Sequence, residues 1–327
     1  MLLAACGCTS ATTPGHSKPT TDPAVTRYEY ERILMGVQVR LVMYTTNESA
    51  AKAAATAAFE RVADLETILS DYQHDSELML LCDRAGSGSV PVSDDLFRVL
   101  EYAEKVSQAS DGAFDVTVGP VVQLWRAARR SKNLPDPLAL ASARAKVGHH
   151  LMKLDRRART VALAVPGMRL DLGGIGKGYA GDEAIKILRE HGVASALFEA
   201  GGDIVVSAAP PDRPAGWLVE TQDGRRFDLA DAAVSASGYT EQFVEIDGVT
   251  YSHVVDSRTG IGLTNQFAAT VIARRGITTD ALSTAATVLG PERSAQLFER
   301  FDARGWVRKV EVETTSRQTS TTSQVNP

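Results

Sequence analysis

The sequence predicts an α+β fold in which mixed or antiparallel sheets pack against helices. Amphipathic helical segments dominate the first half of the chain, whereas the second half mixes strand-like runs with helices. Two Asp-Gly pairs, Asp223-Gly224 and Asp247-Gly248, lie between β-prone runs, which is a strong short-range signal for hairpins. Helices followed by adjacent hairpins favour α+β over a doubly wound parallel sheet. A chain of 327 residues with 44% hydrophobic content can also bury a sizeable core.

The domain is predicted to open with a strand and to continue into a long helix. Hydropathy alternates from about Tyr28, and the residues Val37, Val39, Leu41 and Met43 fall on one face of a strand. Asn47 is a suitable helix cap, and apolar residues repeat behind it at helical spacing: Ala55, Phe59, Val62, Leu65 and Leu69. This spacing predicts a long amphipathic helix.

Further helices and strands follow from capping and composition. Ser93 caps a second predicted helix that ends near Gly112, and Pro120 starts another. The runs LDRRARTVALAV and MRLDL are typical of strands. The segment after Gly178 has helical spacing and is expected to end at Gly192.

Both ends of the chain differ in composition from the domain between them. We expect residues 1–24 to be a truncated lipoprotein signal and flexible linker, because small residues precede Cys6 and a stretch rich in Pro, Ser and Thr follows it. This predicts a lipid on Cys6 and a location on the extracytoplasmic face of the cell membrane, although a chance run of small residues is the alternative. Residues 25–311 form the predicted domain. Residues 312–327 have almost no large apolar side chain and are expected to be disordered.

Charge and cysteine content exclude two classes of protein. The net charge of -5 argues against a nucleic-acid surface, because proteins that bind nucleic-acid phosphates usually concentrate Lys and Arg. The one basic run, RAARRSK from Arg126, is interpreted as the solvated face of a helix. Only Cys82 falls inside the predicted domain, so an internal disulfide framework is impossible.

A glycine-rich segment, GGIGKG at residues 173–178, partly matches two phosphate-binding loops. It fits neither, because Gly178 stands where a Walker loop needs Ser or Thr, and the glycines lack the GxGxxG spacing. The glycines still permit close approach of a ligand to the backbone, and Lys177 adds a positive charge beside a helix N-terminus. The alternative is an ordinary tight turn between a strand and a helix.

Two other segments carry candidate ligand or catalytic groups. Asp280 and Thr284 lie one helical turn apart and offer two hard oxygen ligands that suit Mg²⁺. Alternatively, Thr278 or Thr279 caps this helix and Asp280 is only a favourable acid in its first turn. His253 lies near the end of a hairpin strand, where a lone histidine is more often structural than catalytic.

The order of these segments resembles that of the ApbE family, the FAD:protein FMN transferases. The family pattern runs from Met-Gly through LS-x-Y with Ser-Glu-Leu, G-x-FD-x-T-x-G-P with Trp, DLGGI-x-KGY, GG-D and H-[IV]-[IV]-D-x-x-TG to D-A-x-x-T. In the same order the chain has Met35-Gly36, LSDYQHDSEL, GAFDVTVGP ending in Trp125, DLGGIGKGYA, GGD at residues 201–203, HVVDSRTG and DALST. Seven ordered motifs are far more specific than any one of them. Two departures are Val37 and Ser257, where the family usually has Thr and Pro.

This resemblance implies an ApbE-like architecture, related to the T-fold, and a set of site residues. The implied flavin-nucleotide contacts are Met35, Tyr72, Ala113, Phe114, Asp115, Asp171, Lys177 and Val254. The implied metal ligands are Asp280, Thr284 and the main-chain carbonyl of Gly174. His253 matches a histidine on which transfer depends, and it joins Asp280 and Thr284 as a catalytic residue.

The implied reaction is a Mg²⁺-dependent transfer of FMN from FAD to a threonine hydroxyl of an acceptor flavoprotein, with release of AMP. FAD is then a substrate, and the acceptor protein and the membrane are the expected partners. Two alternatives remain at this point. One is a Mg²⁺-dependent FAD pyrophosphatase that gives FMN and AMP, and the other is a non-catalytic flavin-binding lipoprotein.

Overall fold

A computed structural model describes residues 25–238 and 243–310, so the predicted signal at Cys6 and the predicted tail lie outside the described residues. The described strands are β1 (Thr26–Leu34), β2 (Val37–Thr45), β3 (Ser89–Pro91), β4 (Met152–Asp155), β5 (Thr160–Leu163), β6 (Ser195–Ala200), β7 (Asp203–Val206), β8 (Trp217–Glu220), β9 (Arg226–Leu229), β10 (Ala232–Gly238), β11 (Phe243–Ile246), β12 (Val249–Ser252), β13 (Val255–Asp256), β14 (Ile261–Gly262), β15 (Phe267–Ala273) and β16 (Arg304–Lys309). The described helices are α1 (Glu48–Leu69), α2 (Glu77–Asp83), α3 (Asp94–Ala109), α4 (Gly119–Ser131), α5 (Pro137–Arg144), α6 (Gly176–Glu190) and α7 (Gly276–Arg300).

The main sheet has seven strands in the order β1-β2-β6-β7-β10-β15-β16. Each ladder between these strands is antiparallel. Helices α1, α6 and α7 pack on the sheet, and their apolar faces form one large core with alternate residues of the strands. Val39, Leu41 and Met43 are fully buried in this core, as the alternation in the sequence predicts. The α+β prediction is therefore confirmed.

A second, smaller core lies beside the main one. Trp125 from α4 packs with Val244 and Ile246 of the β11-β12 hairpin and with Val255 of β13. The indole Nε1 of Trp125 donates a 2.8 Å hydrogen bond to the carbonyl of Gly260. These contacts fix α4 and the two small hairpins as one unit.

The predicted caps and hairpins occur where local chemistry places them. The side chain of Asn47 accepts hydrogen bonds at the start of α1, and Ser93 does the same for α3. Asp247 and Gly248 both have positive φ, at 51° and 75°, which is the type I′ geometry of a two-residue hairpin loop. Gly224 turns the β8-β9 hairpin with φ of 79°.

Two strand predictions require correction. MRLDL forms no strand: Arg169 makes an isolated bridge to Val118, and the Asp171 N–H donates a 2.8 Å hydrogen bond to the Val116 carbonyl, but the chain then turns through the 172–176 segment into α6. LDRRARTVALAV is not one strand but the hairpin β4-β5, since the Asp155 carboxylate accepts two backbone N–H groups and turns the chain. No helix in the described part of the chain is long and apolar enough to cross a bilayer.

Candidate functional site

A cavity of about 890 Å³ lies where the β1-β2 turn, the N-terminal ends of α6 and α7, and the segments flanking α4 and β12 meet. Every site residue predicted from the sequence lines it: Met35, Tyr72, Ala113, Phe114, Asp115, Asp171, Gly174, Lys177, His253, Val254, Asp280 and Thr284. The structure thus places residues from distant parts of the chain in one cavity. Their individual roles remain predictions.

The β1-β2 turn brings Met35 to the cavity. Met35 and Gly36 have φ of 53° and 74°, so they form the two-residue loop that the right-handed twist of paired strands favours. The predicted opening strand is consequently two strands. The half-buried side chain of Met35 lies near Gly176, where an added Cβ would be 3.7 Å from the Met35 Cε.

The glycines of DLGGIGKGYA serve mainly to pack two helices together. A Cβ on Gly178 would lie 2.1 Å from the carbonyl oxygen of Gly276, and a Cβ on Gly276 would lie 2.3 Å from the carbonyl oxygen of Gly178. The N-terminal turns of α6 and α7 therefore touch through bare backbone. Because of this approach, the backbone N–H of Gly178 donates a 3.0 Å hydrogen bond to the Asp280 carboxylate.

Asp280 and Thr284 present oxygen atoms at the same place. Asp280 is only 4% exposed, and Thr284 lies one turn further along α7. The backbone of Gly174 adjoins this pair, since a Cβ there would be 2.8 Å from the Thr284 hydroxyl. A carboxylate, a hydroxyl and a neighbouring main chain are hard donors that fit Mg²⁺ better than a soft metal. The described residues hold no cluster of three or more His, Cys, Asp and Glu side chains, so water or substrate oxygens would have to complete such a site.

The N-terminus of α7 is capped by a residue of another helix. The Asp182 carboxylate, on α6, accepts hydrogen bonds of 2.6 Å from the Gly276 N–H and 3.1 Å from the Ile277 N–H. The alternative in which Thr278 or Thr279 caps this helix is therefore wrong: α7 begins at Gly276, and its cap comes from a distant part of the chain. Burial raises the pKa of Asp182 to about 6. Asp182 fixes the helix end that orients Asp280.

The charge of Lys177 is partly compensated by the protein. Its Nζ lies 3.0 Å from the carboxylate of Asp203, which is 3% exposed, and it donates a 3.3 Å hydrogen bond to the Gly173 carbonyl. Asp203 belongs to the GGD segment, so two of the sequence motifs meet here. Lys177 is held at the cavity wall by these contacts.

The Phe114-Asp115 segment forms a rigid part of the wall. The Asp115 carboxylate accepts hydrogen bonds from the Thr117 N–H at 2.8 Å, the Thr117 hydroxyl at 2.7 Å and the His149 N–H at 2.7 Å. Burial raises the pKa of Asp115, and these hydrogen bonds oppose that shift. Phe114 is 4% exposed and packs in the main core. Both side chains mainly hold the loop in shape.

The segment that carries His253 is tied to the same wall. Ser252 accepts a 3.1 Å hydrogen bond from the Val254 N–H, and the Val254 carbonyl accepts one of 2.9 Å from the Leu263 N–H. The hydroxyl of Ser257 donates a hydrogen bond to the Gly112 carbonyl. Ser257, one of the two residues that depart from the family pattern, thus connects the histidine segment to the Phe114 loop.

Arg126 and Arg129 were missed by the sequence interpretation. The basic run is not simply a solvated face, because both side chains line the cavity, whereas Arg130 points to solvent. Arg126 pairs with Asp71 at 2.6 Å and with Asp171 at 3.0 Å, and its guanidinium lies 4.2 Å from the centroid of the Tyr72 ring. The available signal was spacing: residues 122, 126 and 129 share one face of α4.

Comparisons with known proteins match most of the chain to one protein family. Residues 35–305 match the ApbE family. The chain is 33% identical over 300 residues to a FAD:protein FMN transferase of Treponema pallidum, with 85% of this chain and 83% of that protein covered. A second FAD:protein FMN transferase, from Klebsiella pneumoniae, is 30% identical over 313 residues, covering 90% and 87% of the two chains.

Solved structures give the same picture. The apo flavinyl transferase ApbE of Pseudomonas stutzeri superposes with a TM-score of 0.78 at 27% identity, covering 88% of this chain and 92% of that one. The flavin transferase ApbE of Vibrio cholerae gives a TM-score of 0.78 at 26% identity, with 86% and 93% covered. These structures share the arrangement of sheets and helices described above.

Proposed function

The chain belongs to the ApbE family, and from this premise we propose that it is an FAD:protein FMN transferase that moves FMN from FAD to a threonine hydroxyl of an acceptor flavoprotein and releases AMP. The observation that best supports this proposal is the convergence of all the motif residues on one cavity of about 890 Å³. A volume of this size is in the range of sites that enclose a whole cofactor.

The oxygen donors at the N-terminal end of α7 would hold a Mg²⁺ ion. Asp280, Thr284 and the main-chain carbonyl of Gly174 are the proposed protein ligands, and oxygens of the substrate or water would have to complete the set. When bound, the ion neutralises charge on the diphosphate and makes AMP a better leaving group. The hydrogen bond from the Gly178 N–H holds the Asp280 carboxylate in place for this role.

The proposed transfer is an in-line displacement at the FMN-side phosphorus of FAD. The threonine oxygen of the acceptor forms a bond to that phosphorus, and the bond from the phosphorus to the bridging oxygen breaks. AMP leaves with the bridging oxygen, and the threonine loses its proton. His253 lines the cavity and either accepts this proton or orients the acceptor hydroxyl.

The remaining wall residues bind and orient FAD. Lys177, held by Asp203, keeps a positive group beside the diphosphate region, although part of its charge is already compensated. Met35 and Val254 contribute apolar surface, and Tyr72 presents an aromatic ring that is 72% exposed. Such a wall suits a ligand that combines a diphosphate with planar rings.

The transfer is tested by incubating the protein with FAD, Mg²⁺ and a candidate acceptor, followed by denaturing electrophoresis. Flavin fluorescence that stays with the denatured acceptor supports the proposal, and it should disappear with EDTA and with Asp280→Ala. Free FMN and AMP without a labelled acceptor would instead indicate the pyrophosphatase. Intact FAD that is retained for hours in Mg²⁺ would indicate a flavin-binding protein without activity.

A matched pair of hydroxyl variants separates the site from the helix. Thr284→Val removes a hydroxyl that lines the cavity, whereas Thr287→Val removes one that donates a 2.8 Å hydrogen bond to the Thr284 carbonyl and faces away from the cavity. We expect loss of transfer only in Thr284→Val. Equal losses would mean that the hydroxyl supports α7 and binds no metal.

We also propose that Cys6 carries a lipid that anchors the enzyme to the extracytoplasmic face of the cell membrane. Small residues directly before Cys6 and the polar segment behind it support this idea. Labelled palmitate should enter the wild-type protein and its Cys8→Ser variant but not Cys6→Ser, which should leave the membrane fraction. If the wild type and both variants divide equally between the membrane and soluble fractions, the lipid anchor is refuted.

A further inference from the structure

Tyr72 is an unusual residue in the cavity wall because its ring is largely uncovered. It follows the C-terminal end of α1 and is 72% exposed, although it lines the cavity. One face of the ring lies against the Arg126 guanidinium, with 4.2 Å between the guanidinium carbon and the ring centroid. The other face is therefore open for a second planar group.

Arg126 is held far more firmly than the ring it supports. Its side chain is 18% exposed, and its two terminal nitrogens reach Asp71 at 2.6 Å and Asp171 at 3.0 Å. Asp171 is fixed in turn, since its other carboxylate oxygen accepts a 2.8 Å hydrogen bond from the Gly173 N–H. One planar guanidinium thus joins α4, the segment after α1 and the turn before α6, a task that suits Arg better than Lys.

The charges around Arg126 show why its removal would disturb this part of the cavity wall. Asp71 and Asp171 converge on one guanidinium, and burial together with the charge of Asp171 raises the pKa of Asp71. Without Arg126 the two carboxylates would repel each other and separate. Arg129 lines the same cavity but forms no ion pair with any residue in the described ranges, so it cannot take over this bridge.

We propose that Arg126 is a positioning residue that holds Tyr72 and Asp171 so that the open face of Tyr72 stacks on a planar ring of FAD. This inference rests on the proposed function, and it adds a residue and a task to the flavin site. The guanidinium touches the protein side of the ring, so its effect on FAD is transmitted through Tyr72. A guanidinium–Tyr–ligand stack combines a cation–π contact with ring stacking.

The test is a double-mutant cycle on FAD affinity, measured by flavin fluorescence and equilibrium dialysis in EDTA to prevent turnover. Arg126→Met and Tyr72→Leu should each weaken FAD binding about 3- to 30-fold, the range for one cation–π or aromatic stacking contact. The double variant should bind FAD with about the affinity of whichever single variant binds it less tightly, because both changes remove the same stack. Additive losses would overturn the proposal.

Control variants separate positioning from charge. Arg130→Met, on the exposed side of the same helix, should bind FAD like the wild type. Arg129→Met removes a charge from the same wall, so any loss it causes should shrink at high salt, whereas the Arg126→Met loss should persist. Arg126→Lys should recover only part of the affinity, because an ammonium cannot bridge both carboxylates and cover the ring. Full recovery, or a loss in Arg126→Met that salt abolishes, would refute the positioning role.

Titrations with fragments of FAD and steady-state kinetics locate the effect of Arg126. Titration with FMN and with AMP alone should show which ring stacks, and equal affinity of Arg126→Met and wild type for both would count against the inference. In steady-state transfer the loss should appear in the KM for FAD, with kcat within about threefold. If Arg126→Met does not fold, Tyr72→Leu and Arg126→Lys still carry the test, since Tyr72 is a surface ring. Failure of the wild type to bind FAD when Mg²⁺ is present would refute the proposed function instead.

Discussion

The contact between Gly178 and Gly276 gives the sharpest prediction about the site. Substitution of Gly178 by alanine would place a Cβ 2.1 Å from the Gly276 carbonyl oxygen, 2.4 Å from its carbonyl carbon and 2.8 Å from the Asp280 Cβ. Since a carbon normally stays about 3.3 Å or more from a carbonyl oxygen, α6 and α7 must separate locally by about 1 Å. The obstacle is backbone, so no side-chain rotation can relieve it.

Three effects determine the size of the change. Overpacking of this kind costs about 1–3 kcal/mol. Stretching the 3.0 Å bond from the Gly178 N–H to the Asp280 carboxylate by about 1 Å would remove a further ~1.5–3 kcal/mol, because the acceptor is charged and buried. The better helix propensity of alanine returns at most about 1 kcal/mol. Taken together, these effects are expected to lower the free energy of unfolding of Gly178→Ala by about 1.5–6 kcal/mol.

Gly176 provides the matched control, because it lies in the same first turn of α6. An added Cβ there meets only the Met35 Cε at 3.7 Å, which is ordinary van der Waals contact. Gly176→Ala should be neutral or stabilising by up to about 1 kcal/mol. Urea unfolding monitored by circular dichroism gives both values. If Gly178→Ala unfolds at the same urea concentration as Gly176→Ala, the backbone contact does not hold the two helices together as described.

Three further changes test other parts of the structure. Burial raises the folded-state pKa of Asp182 from 3.8 to about 6, so its contribution to stability is greatest below pH 3.8 and declines by up to about 3 kcal/mol as the pH rises through 6. Asp182→Asn should remove this fall in the free energy of unfolding between pH 4 and 6, and an unchanged pH dependence would contradict the assignment. Trp125→Phe leaves the buried Gly260 carbonyl without its 2.8 Å partner and should lower the free energy of unfolding by about 1–3 kcal/mol, whereas an unchanged urea midpoint would mean that water replaces the bond. Asn47→Ala should cost about 1 kcal/mol at the start of α1, and Asn47→Asp should restore it; equal stability of the alanine and aspartate variants would show that the cap contributes nothing.

The elements that the sequence predicts correctly are those governed by neighbouring residues. Asn47 and Ser93 cap helices through bonds to backbone groups two or three residues away, and the Asp247-Gly248 pair closes a hairpin of its own. Such interactions require nothing from distant parts of the chain. The same locality explains why the order of the motifs was sufficient to identify the family, and why each motif alone also permits an ordinary structural interpretation.

The contacts that the sequence did not predict join residues that are far apart in the chain. Asp182 caps α7 across 94 residues, and Arg126 meets Asp171 across 45 residues, so neither contact appears as a local spacing. Likewise, MRLDL has the composition of a strand but finds no neighbouring strand, because Arg169 and Asp171 pair only with Val118 and Val116 of the segment before α4. The partner of a carboxylate or guanidinium on a helix face depends on which distant segment the fold packs against that face.

The glycine-rich segment shows how the two kinds of information combine. Phosphate-binding loops use glycine to bring backbone N–H groups to a ligand, but here the Gly178 N–H donates to Asp280, and the space that its missing Cβ leaves is filled by Gly276. The segment therefore presses the first turn of α6 against the first turn of α7, and any effect on the proposed substrate is expected to be indirect. That contact places Gly174 beside Thr284 and the Asp280 carboxylate beside the cavity. A loss of transfer on replacing Gly178 should consequently be accompanied by a higher Mg²⁺ concentration for half-maximal transfer, whereas a direct phosphate contact at Gly178 would weaken FAD binding even when Mg²⁺ is removed.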